Sequence, residues 1–443
     1  MQNYEEVSDQ IIKRICECGW SAYLVGGAVR DEFLGIKAND YDLVTNALPE
    51  ELEKIFPDRR VKMFGANFLV TSIDDIEVST YRSDKNNGAN RKNCQTTSCC
   101  TLSEDLARRD FTFNSLAVCP YTGEVIDPFN GKDDLEKKIV RFVGDPNQRI
   151  YEDYVRMIRA ARFACLIEGK LDSETFHAIF NNRHHVKEIS PERVRMELLK
   201  AMKYRRPSIF FDILHETGIL EIILPEMNNA YGHDGGQFHI ETIDLHLKIA
   251  GDNLSYKDPL LRLVGYMHDI GKPVAYNLIK DGAFIDHDKI GADMIKSIFR
   301  RFKFSIKETE RARNLVLFHM RSFNSFTSGK AIRRFIKKLD DYNVSFKDWL
   351  RLKIADNKAN LSREDYSKQQ IKDFVLKVHN SKKLTPSGGF TISDLAINGN
   401  DVMTTLGIAP GKEVGDTLKK LLDLVLDDPS LNERETLIKL ITN

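Results

Sequence analysis

Asp40 and Asp42 stand two residues apart, immediately before the apolar pair Leu43-Val44. In an extended strand that spacing puts both carboxylates on one face and Tyr41 on the other. Upstream, Leu24-Val25 runs into Gly26-Gly27, a turn whose exposed amides can cradle phosphate, and Arg30-Asp31 opens a short helix that stops near Gly35. Two like-facing carboxylates beside such a turn suit Mg²⁺ and a nucleoside triphosphate. Glu77, in the strand-like run IEVSTYR, becomes a third carboxylate if its strand lies beside the aspartate strand. Downstream, Arg108, Arg109, Asp110 and Asn114 form a polar constellation at the start of a helix expected within 102–118. In 149–167, Asp153 and Arg156 sit one turn apart, and Arg159 and Arg162 continue a slow drift around the same helix. Met157, Ile158, Phe163 and Cys165 mark its buried side.

A second set of ligand types gathers after residue 239. His239 and His246 lie two turns apart on one helical face. His268-Asp269 ends an apolar helix stopped by Gly271 and Pro273, and His287, His319 and Asp356 follow on later helices. Recurrence of His and Asp next to apolar runs on successive helices points to convergence on one metal centre.

The elements that must position these groups read as an α/β unit followed by helices. Val7, Ile11, Ile12, Ile15 and Cys16 give residues 4–19 a helical apolar face. A Pro-started helix at 49–56 precedes two strands, 67–73 and 76–81, joined through Asp74-Asp75. Residues 83–101 are Asn-rich and aperiodic, and read as a mobile loop in which Cys94, Cys99 and Cys100 lack a zinc-like spacing. A strand at 139–145 closes the first unit. Helices are expected at about 172–182, 191–203, 207–216 and 240–252, with a Gly/Asn-rich boundary between 228 and 239 and three short helices after a polar link at 379–390.

Composition narrows the class. The chain has 443 residues, 42% hydrophobic and 29% charged, with 65 basic against 65 acidic residues. That excludes disordered and fibrous classes, and nucleic-acid binding would have to use local basic faces rather than a global field. Candidate faces are Arg183-His184-His185-Lys187, Arg300-Arg301-Lys303, and Arg333-Arg334 with Lys337-Lys338. The polar, acidic opening MQNYEEVSDQ has no secretory character, no apolar run reaches membrane-spanning length, and seven cysteines, an odd number spread over a large chain, read as reduced thiols. These features lead us to expect a cytoplasmic protein with no membrane partner.

GGAVRD, DYDLVT, RRDFTFNSLAV, DPFNG and EDYVRMIRAARFA, in that order, resemble the class II tRNA nucleotidyltransferase and bacterial poly(A) polymerase family. The helical part resembles the HD metal-phosphohydrolase fold, through His246, His268-Asp269, His287, His319 and Asp356. The segment GNDVMTTLGIAPGKEVGDTLKKLL is similar to the tail of CCA-adding enzymes.

The resemblance implies an α+β protein with four parts. These are a nucleotidyltransferase head with a small mixed sheet (1–145), a helical neck (146–228), an HD-type helical body (229–378) and a helical tail (379–443). It implies addition of C, C and A to a tRNA 3′ end from CTP and ATP, with release of pyrophosphate and two Mg²⁺ ions held by Asp40 and Asp42. Glu77 matches the third acidic position, and Gly26, Gly27 and Arg30 the triphosphate cradle. Arg108, Arg109, Asp110 and Asn114 match the phosphate- and ribose-contacting segment, Asp153 and Arg156 the base-reading pair, and Arg159 and Arg162 further phosphate or base contacts, with Arg162 reading equally as a helix-packing charge. The body would hold a second divalent metal. Addition of CC or A alone, or poly(A) synthesis, shares the same head. VKMFGANF at 61–68 lacks the basic stretch of the poly(A) polymerases, and the loop at 83–101 favours enzymes able to add A. A phosphohydrolase with a degenerate head is the reading from a different class.

Overall fold

The computed structural model describes residues 4–38, 40–63, 69–85, 95–98, 101–236, 239–279, 284–323, 326, 328–382 and 391–442. It divides into two compact units, Met1–Asn228 and Asn229–Asn443. Among the described residues, no helix is long and apolar enough to cross a membrane.

The first unit is built on β1 (Ala22–Val25), β2 (Asp42–Thr45), β3 (Val61–Met63), β4 (Val70–Ile73), β5 (Ile76–Thr80), β6 (Arg82–Lys85), β7 (Gln95–Ser98), β8 (Ala117–Cys119) and β9 (Glu124–Ile126). Seven of these form one sheet in the order β3-β4-β5-β2-β1-β8-β9, antiparallel throughout except for the parallel pair β2/β5. Asp74 and Asp75 turn the β4–β5 hairpin with φ of 50° and 70°. Two positive-φ residues are what a tight hairpin needs, and aspartate tolerates that region better than most residues. Val25, Val44, Tyr81, Leu106 and Ala117 form a buried core across the central strands. Helix Tyr4–Glu17 buries Ile11, Ile12 and Ile15, the face its periodicity marks.

Three local expectations change. The segment 83–101 is not wholly aperiodic, because β6 and β7 pair antiparallel at its two ends; Cys94, Cys99 and Cys100 fall outside the described residues. The strand expected at 139–145 reduces to Ile139–Val140, which leaves the main sheet to pair in parallel with Lys170–Leu171. The helix expected through 118 stops after Leu102–Ala107, capped by Thr101 in a reciprocal bond with Glu104, and only a single 3-10 turn, Thr112–Asn114, follows. Arg108, Arg109 and Asp110 therefore occupy a bend. Phe111 anchors it, stacking on Phe142 (4.9 Å) and meeting the Phe163 edge at 5.2 Å. Through those rings the bend is fixed against helix Val155–Ile167.

The second unit is helical. Helices Ile243–Asp252, Pro259–Gly265, Lys272–Ile279, His287–Arg301, Ile306–Phe318, Gly329–Asp341 and Phe346–Ala359 are followed by Lys368–Lys382 and then by Gly399–Leu406, Lys412–Asp427 and Arg434–Thr442. Trp349 is fully buried and its indole donates to the Phe318 carbonyl at 3.0 Å. At Gly271 a Cβ would lie 2.2 Å from the His287 carbonyl oxygen and 2.7 Å from the Gly291 nitrogen. Only glycine allows this approach, and it draws the turn bearing His268-Asp269 onto the start of the His287 helix. Of the expected basic faces, Arg333 is buried against the Leu426 carbonyl (2.7 Å) and serves packing, while Arg334 stays exposed and pairs with Asp427 at 2.7 Å.

Candidate active site and candidate metal centre

β2 begins at Asp42, so Asp40 and Tyr41 lie just ahead of the strand rather than alternating within it. Asp42 stands directly opposite Glu77 in the parallel β2/β5 register. The pairing the sequence left conditional is thus present, and all three carboxylates are exposed. Burial of its environment, reinforced by Glu77 and Asp40 and opposed by Arg109, raises the Asp42 carboxyl above its ordinary value. Like charges held together this way fit a divalent cation. Gly26 closes the site from β1. Its φ is +72°, and a Cβ there would lie 3.2 Å from Arg109 Nη1 and 3.8 Å from Asp42 Oδ2.

The cationic side of the site is organised by a residue the sequence reading passed over. Asp105 is fully buried; its Oδ1 accepts from Arg108 (3.0 and 2.7 Å) and its Oδ2 from Arg109 (3.2 Å). The signal was available: Asp105 lies three and four residues before the two arginines, the helical ion-pair spacing. Burial lowers the Arg109 guanidinium from its ordinary value, opposed chiefly by Asp105, and its Nε is buried without a hydrogen-bond partner.

A second chain of contacts links the bend to the neck. Asp110 is buried and accepts from Asn114 Nδ2 at 2.9 Å and Arg159 Nε at 2.8 Å. Burial pushes its carboxyl up, but Arg159, Asn114 and Arg156 outweigh that and bring it to about 2. Asn114 Oδ1 in turn accepts from Arg30 Nη1 at 2.9 Å, and Arg30 also holds Asp31. Arg30, Asn114, Asp110 and Arg159 therefore form one continuous string of side chains.

The structure changes the picture at 149–167. The run is not one helix: Pro146–Glu152 ends at Asp153, whose backbone is extended (φ −160°), and a new helix runs Val155–Ile167. Asp153 Oδ2 accepts from Arg193 at 2.6 Å, while Arg156 donates to Glu152 and to the Arg149 and Arg108 carbonyls at 3.0 and 3.1 Å. The two side chains pair with these neighbours rather than with one another. Arg193, on helix Pro191–Ala201, had no signal in the sequence. Arg162 is 5% exposed, bonded to Glu197 and to Tyr204 Oη (2.8 Å), with its guanidinium 4.0 Å from the Phe163 ring centroid. Of its two readings, these surroundings match the helix-packing charge.

In the second unit all six expected ligands converge. Asp269 Oδ1 lies 3.3 Å from His287 Nε2 and 3.1 Å from His319 Nε2. Asp269 Oδ2 lies 3.5 Å from His246 Nε2 and 3.6 Å from His268 Nε2, and Asp356 Oδ1 is 3.2 and 3.6 Å from the same two nitrogens. The outer nitrogens are held: Nδ1 of His268, His287 and His319 meets the Gly265, Phe284 and Val316 carbonyls at 2.9, 2.6 and 2.6 Å. A ring that donates from Nδ1 to a carbonyl presents Nε2 as a lone pair, the arrangement of a metal ligand. His287 Nε2 is buried without a hydrogen bond of normal geometry. Burial pulls His246 down, but Asp356, Glu241 and Asp269 raise it to about 9. The Asp269 and Asp356 carboxylates set among imidazole Nε2 atoms fit one or more divalent cations. Glu241, Lys272 and Lys353, absent from the expected set, complete the surround. Glu241 accepts from His246 (3.2 Å), Lys272 bonds Asp269 (2.6 Å) and Lys353 bonds Asp356 (2.8 Å).

Comparison with known proteins agrees with this layout. Three family models match consecutive parts of the chain: "Poly A polymerase head domain" over 22–141, "Probable RNA and SrmB- binding site of polymerase A" over 170–231, and "tRNA nucleotidyltransferase domain 2 putative" over 283–441. These stretches are thus similar to parts of poly(A) polymerases and tRNA nucleotidyltransferases. A CCA-adding enzyme of Limosilactobacillus reuteri is 36% identical over 228 residues, 51% of this chain and 56% of the relative. The chain therefore spans little more than half the length of that relative. A CCA-adding enzyme of Pediococcus pentosaceus aligns over 99% of this chain and 98% of its own length at 26% identity. The Bacillus stearothermophilus CCA-adding enzyme in complex with CTP shares the fold, with a TM-score of 0.71 at 24% identity, covering 100% of this chain and 98% of that one.

Proposed function

We propose that this chain is a template-independent tRNA nucleotidyltransferase that adds C, C and A to the 3′ end of tRNA, using CTP and ATP and releasing pyrophosphate. The observation that carries the reading is the in-register opposition of Asp42 and Glu77, with Asp40 beside them and Gly26 and Arg109 at their edge. In the reaction the tRNA 3′-hydroxyl attacks the α-phosphorus and pyrophosphate leaves. Asp40 and Asp42, with Glu77 alongside, hold Mg²⁺, which when bound neutralises phosphate charge and lowers the pKa of the attacking hydroxyl. The Gly26 and Gly27 amides with Arg30, Arg108 and Arg109 bind the triphosphate, the arginines through guanidinium forks. Asp110 and Asn114 keep Arg30 and Arg159 in place. Asp153 and Arg156 offer acceptors and donors to the edge of the incoming base. Cytosine and adenine share an amine beside a ring-nitrogen acceptor, so one pair can accept both. To do so they exchange their present partners, Arg193 and Glu152.

The division of labour follows the four parts, with residues 1–145 binding nucleotide, 146–228 reading it, and 379–443 holding tRNA in the cytoplasm. A second reading concerns residues 229–378 alone. The six converging ligands support an HD-type divalent metal phosphohydrolase site there, independent of the head. Since the Asp269 oxygens face different histidine pairs, the residues offer positions for two ions, Mg²⁺, Mn²⁺ and Ni²⁺ being candidates.

Labelled CTP and ATP incorporated into tRNA lacking its 3′ end test both readings. Asp40→Ala/Asp42→Ala should abolish incorporation while His268→Ala leaves it intact. Phosphatase or phosphodiesterase activity with the opposite pattern of loss would establish the second site. Absence of pyrophosphate release from the unmodified protein would refute the first reading.

A further inference from the structure

Four rings gather on the neck, running from the buried Tyr154 out to the exposed Tyr151 and His184. Tyr154 stacks on His185 with centroids 4.5 Å apart and planes 5° apart. Tyr151 meets both edge-on, at 6.2 Å from Tyr154 and 5.6 Å from His185, and the His184 ring lies 4.0 Å from His185. The stack is pinned, since His185 Nδ1 bonds Glu188 at 2.7 Å and Tyr154 is buried. It is also open: Tyr151 is 49% exposed and His184 is exposed. A rigid stack with one large ring left in water is poorly accounted for by packing.

Its position is informative. Tyr151 and Tyr154 flank Asp153, and the stack's second segment of chain, Arg183–Glu188, also carries the exposed Lys187, together with Arg183, whose guanidinium lies over the Phe180 ring at 4.2 Å. Arg193, held by Asp153, is 38% exposed at its side chain. Exposed aromatics interleaved with cations and adjoining a nucleotide site have the chemistry of a single-stranded nucleic-acid platform, in which a base lies on a ring and cations meet its phosphates. The incoming nucleotide is a weaker occupant, because its base is addressed by edges through the less exposed Asp153 and Arg156.

We infer that Tyr151, on the Tyr154–His185 stack, is the landing ring for an unpaired base at the 3′ end of the RNA that this enzyme extends. The inference rests on the proposed tRNA nucleotidyltransferase reading and specifies where its primer sits.

Base–aromatic stacking is worth about 1–3 kcal/mol per base, or roughly 5- to 150-fold in affinity. Fluorescence anisotropy with tRNA lacking its last three nucleotides, without added nucleoside triphosphate, should show Tyr151→Ala binding weaker within that range. Tyr151→Trp should bind as the unmodified protein does. The KM for CTP should stay within twofold in both variants, and unfolding temperatures should match. A raised KM for CTP at unchanged tRNA affinity would assign the ring to the incoming nucleotide and overturn the inference. Equal tRNA affinity of the alanine variant and the unmodified protein would overturn it as well. If the unmodified protein neither binds tRNA nor adds nucleotides, the functional reading fails first and the inference falls with it. If that protein is active and Tyr151→Ala binds tRNA as it does, the inference alone fails.

Discussion

Replacing Asp110 with asparagine tests the string of side chains that ties the bend to the neck. Asp110 is 8% exposed and carries the charge that meets Arg159, while Asn114 and the Phe111 amide also donate to it. Its carboxyl falls from an ordinary 3.8 to about 2 on folding. A carboxyl depressed by folding contributes stability that is fully present above pH 3.8, fades as pH falls, and is gone below pH 2. Nearly two pH units at about 1.4 kcal/mol each give about 2–3 kcal/mol. Asp110→Asn lacks the titrating group but keeps the shape. Urea unfolding followed by circular dichroism at pH steps from 6 to 2 should therefore show the two proteins about 2–3 kcal/mol apart at pH 6, with the gap shrinking by that amount toward pH 2. A gap that stays constant across the range, or widens in acid, would refute the assignment of a buried, ionised Asp110.

Three further outcomes follow from the same geometry. Arg162→Met leaves the buried Glu197 with only the distant cations Lys200 (3.9 Å) and Arg159 (4.0 Å) and should cost about 3 kcal/mol in urea unfolding, whereas the double variant Arg162→Met/Glu197→Leu should recover most of it; KM for CTP should not change in the double variant, as expected for a packing residue. Gly26→Ala puts a side chain on a backbone at φ +72° and 3.2 Å from Arg109; a cost of about 1–3 kcal/mol in stability and a raised KM for CTP are expected. In the histidine centre, His287→Ala or His319→Ala should lower the bound divalent metal, measured by mass spectrometry after dialysis, from two ions to one. Asp269→Ala should remove both.

The sequence revealed these sites unevenly. The six ligands of the histidine centre were legible because each sits beside an apolar run, and burial on successive helices leaves polar groups little choice but to meet. The head was legible at Asp42 and Glu77, where short strands and a DD turn constrain the register. What stayed hidden depended on where a helix stops. Periodicity carried 149–167 through Asp153 without a break, yet the extended backbone there turns its carboxylate to Arg193, a partner 40 residues away. Arg162 looked like its neighbours Arg156 and Arg159, and only its burial against Glu197 separates it from them. Asp105 was missed although its spacing to Arg108 and Arg109 was in plain view, because a buried carboxylate that positions arginines has the same sequence signature as a solvated helix charge.

The most direct measurement of the central claim is the length and sequence of the product. tRNA ending before its last three nucleotides, incubated with Mg²⁺ and this protein, should gain two residues with CTP alone and three, ending CCA, with CTP and ATP together. Asp42→Ala should yield none of these. Extension that stops at CC with both nucleotides present, a run of A added without CTP, or unchanged product from Asp42→Ala would contradict the account.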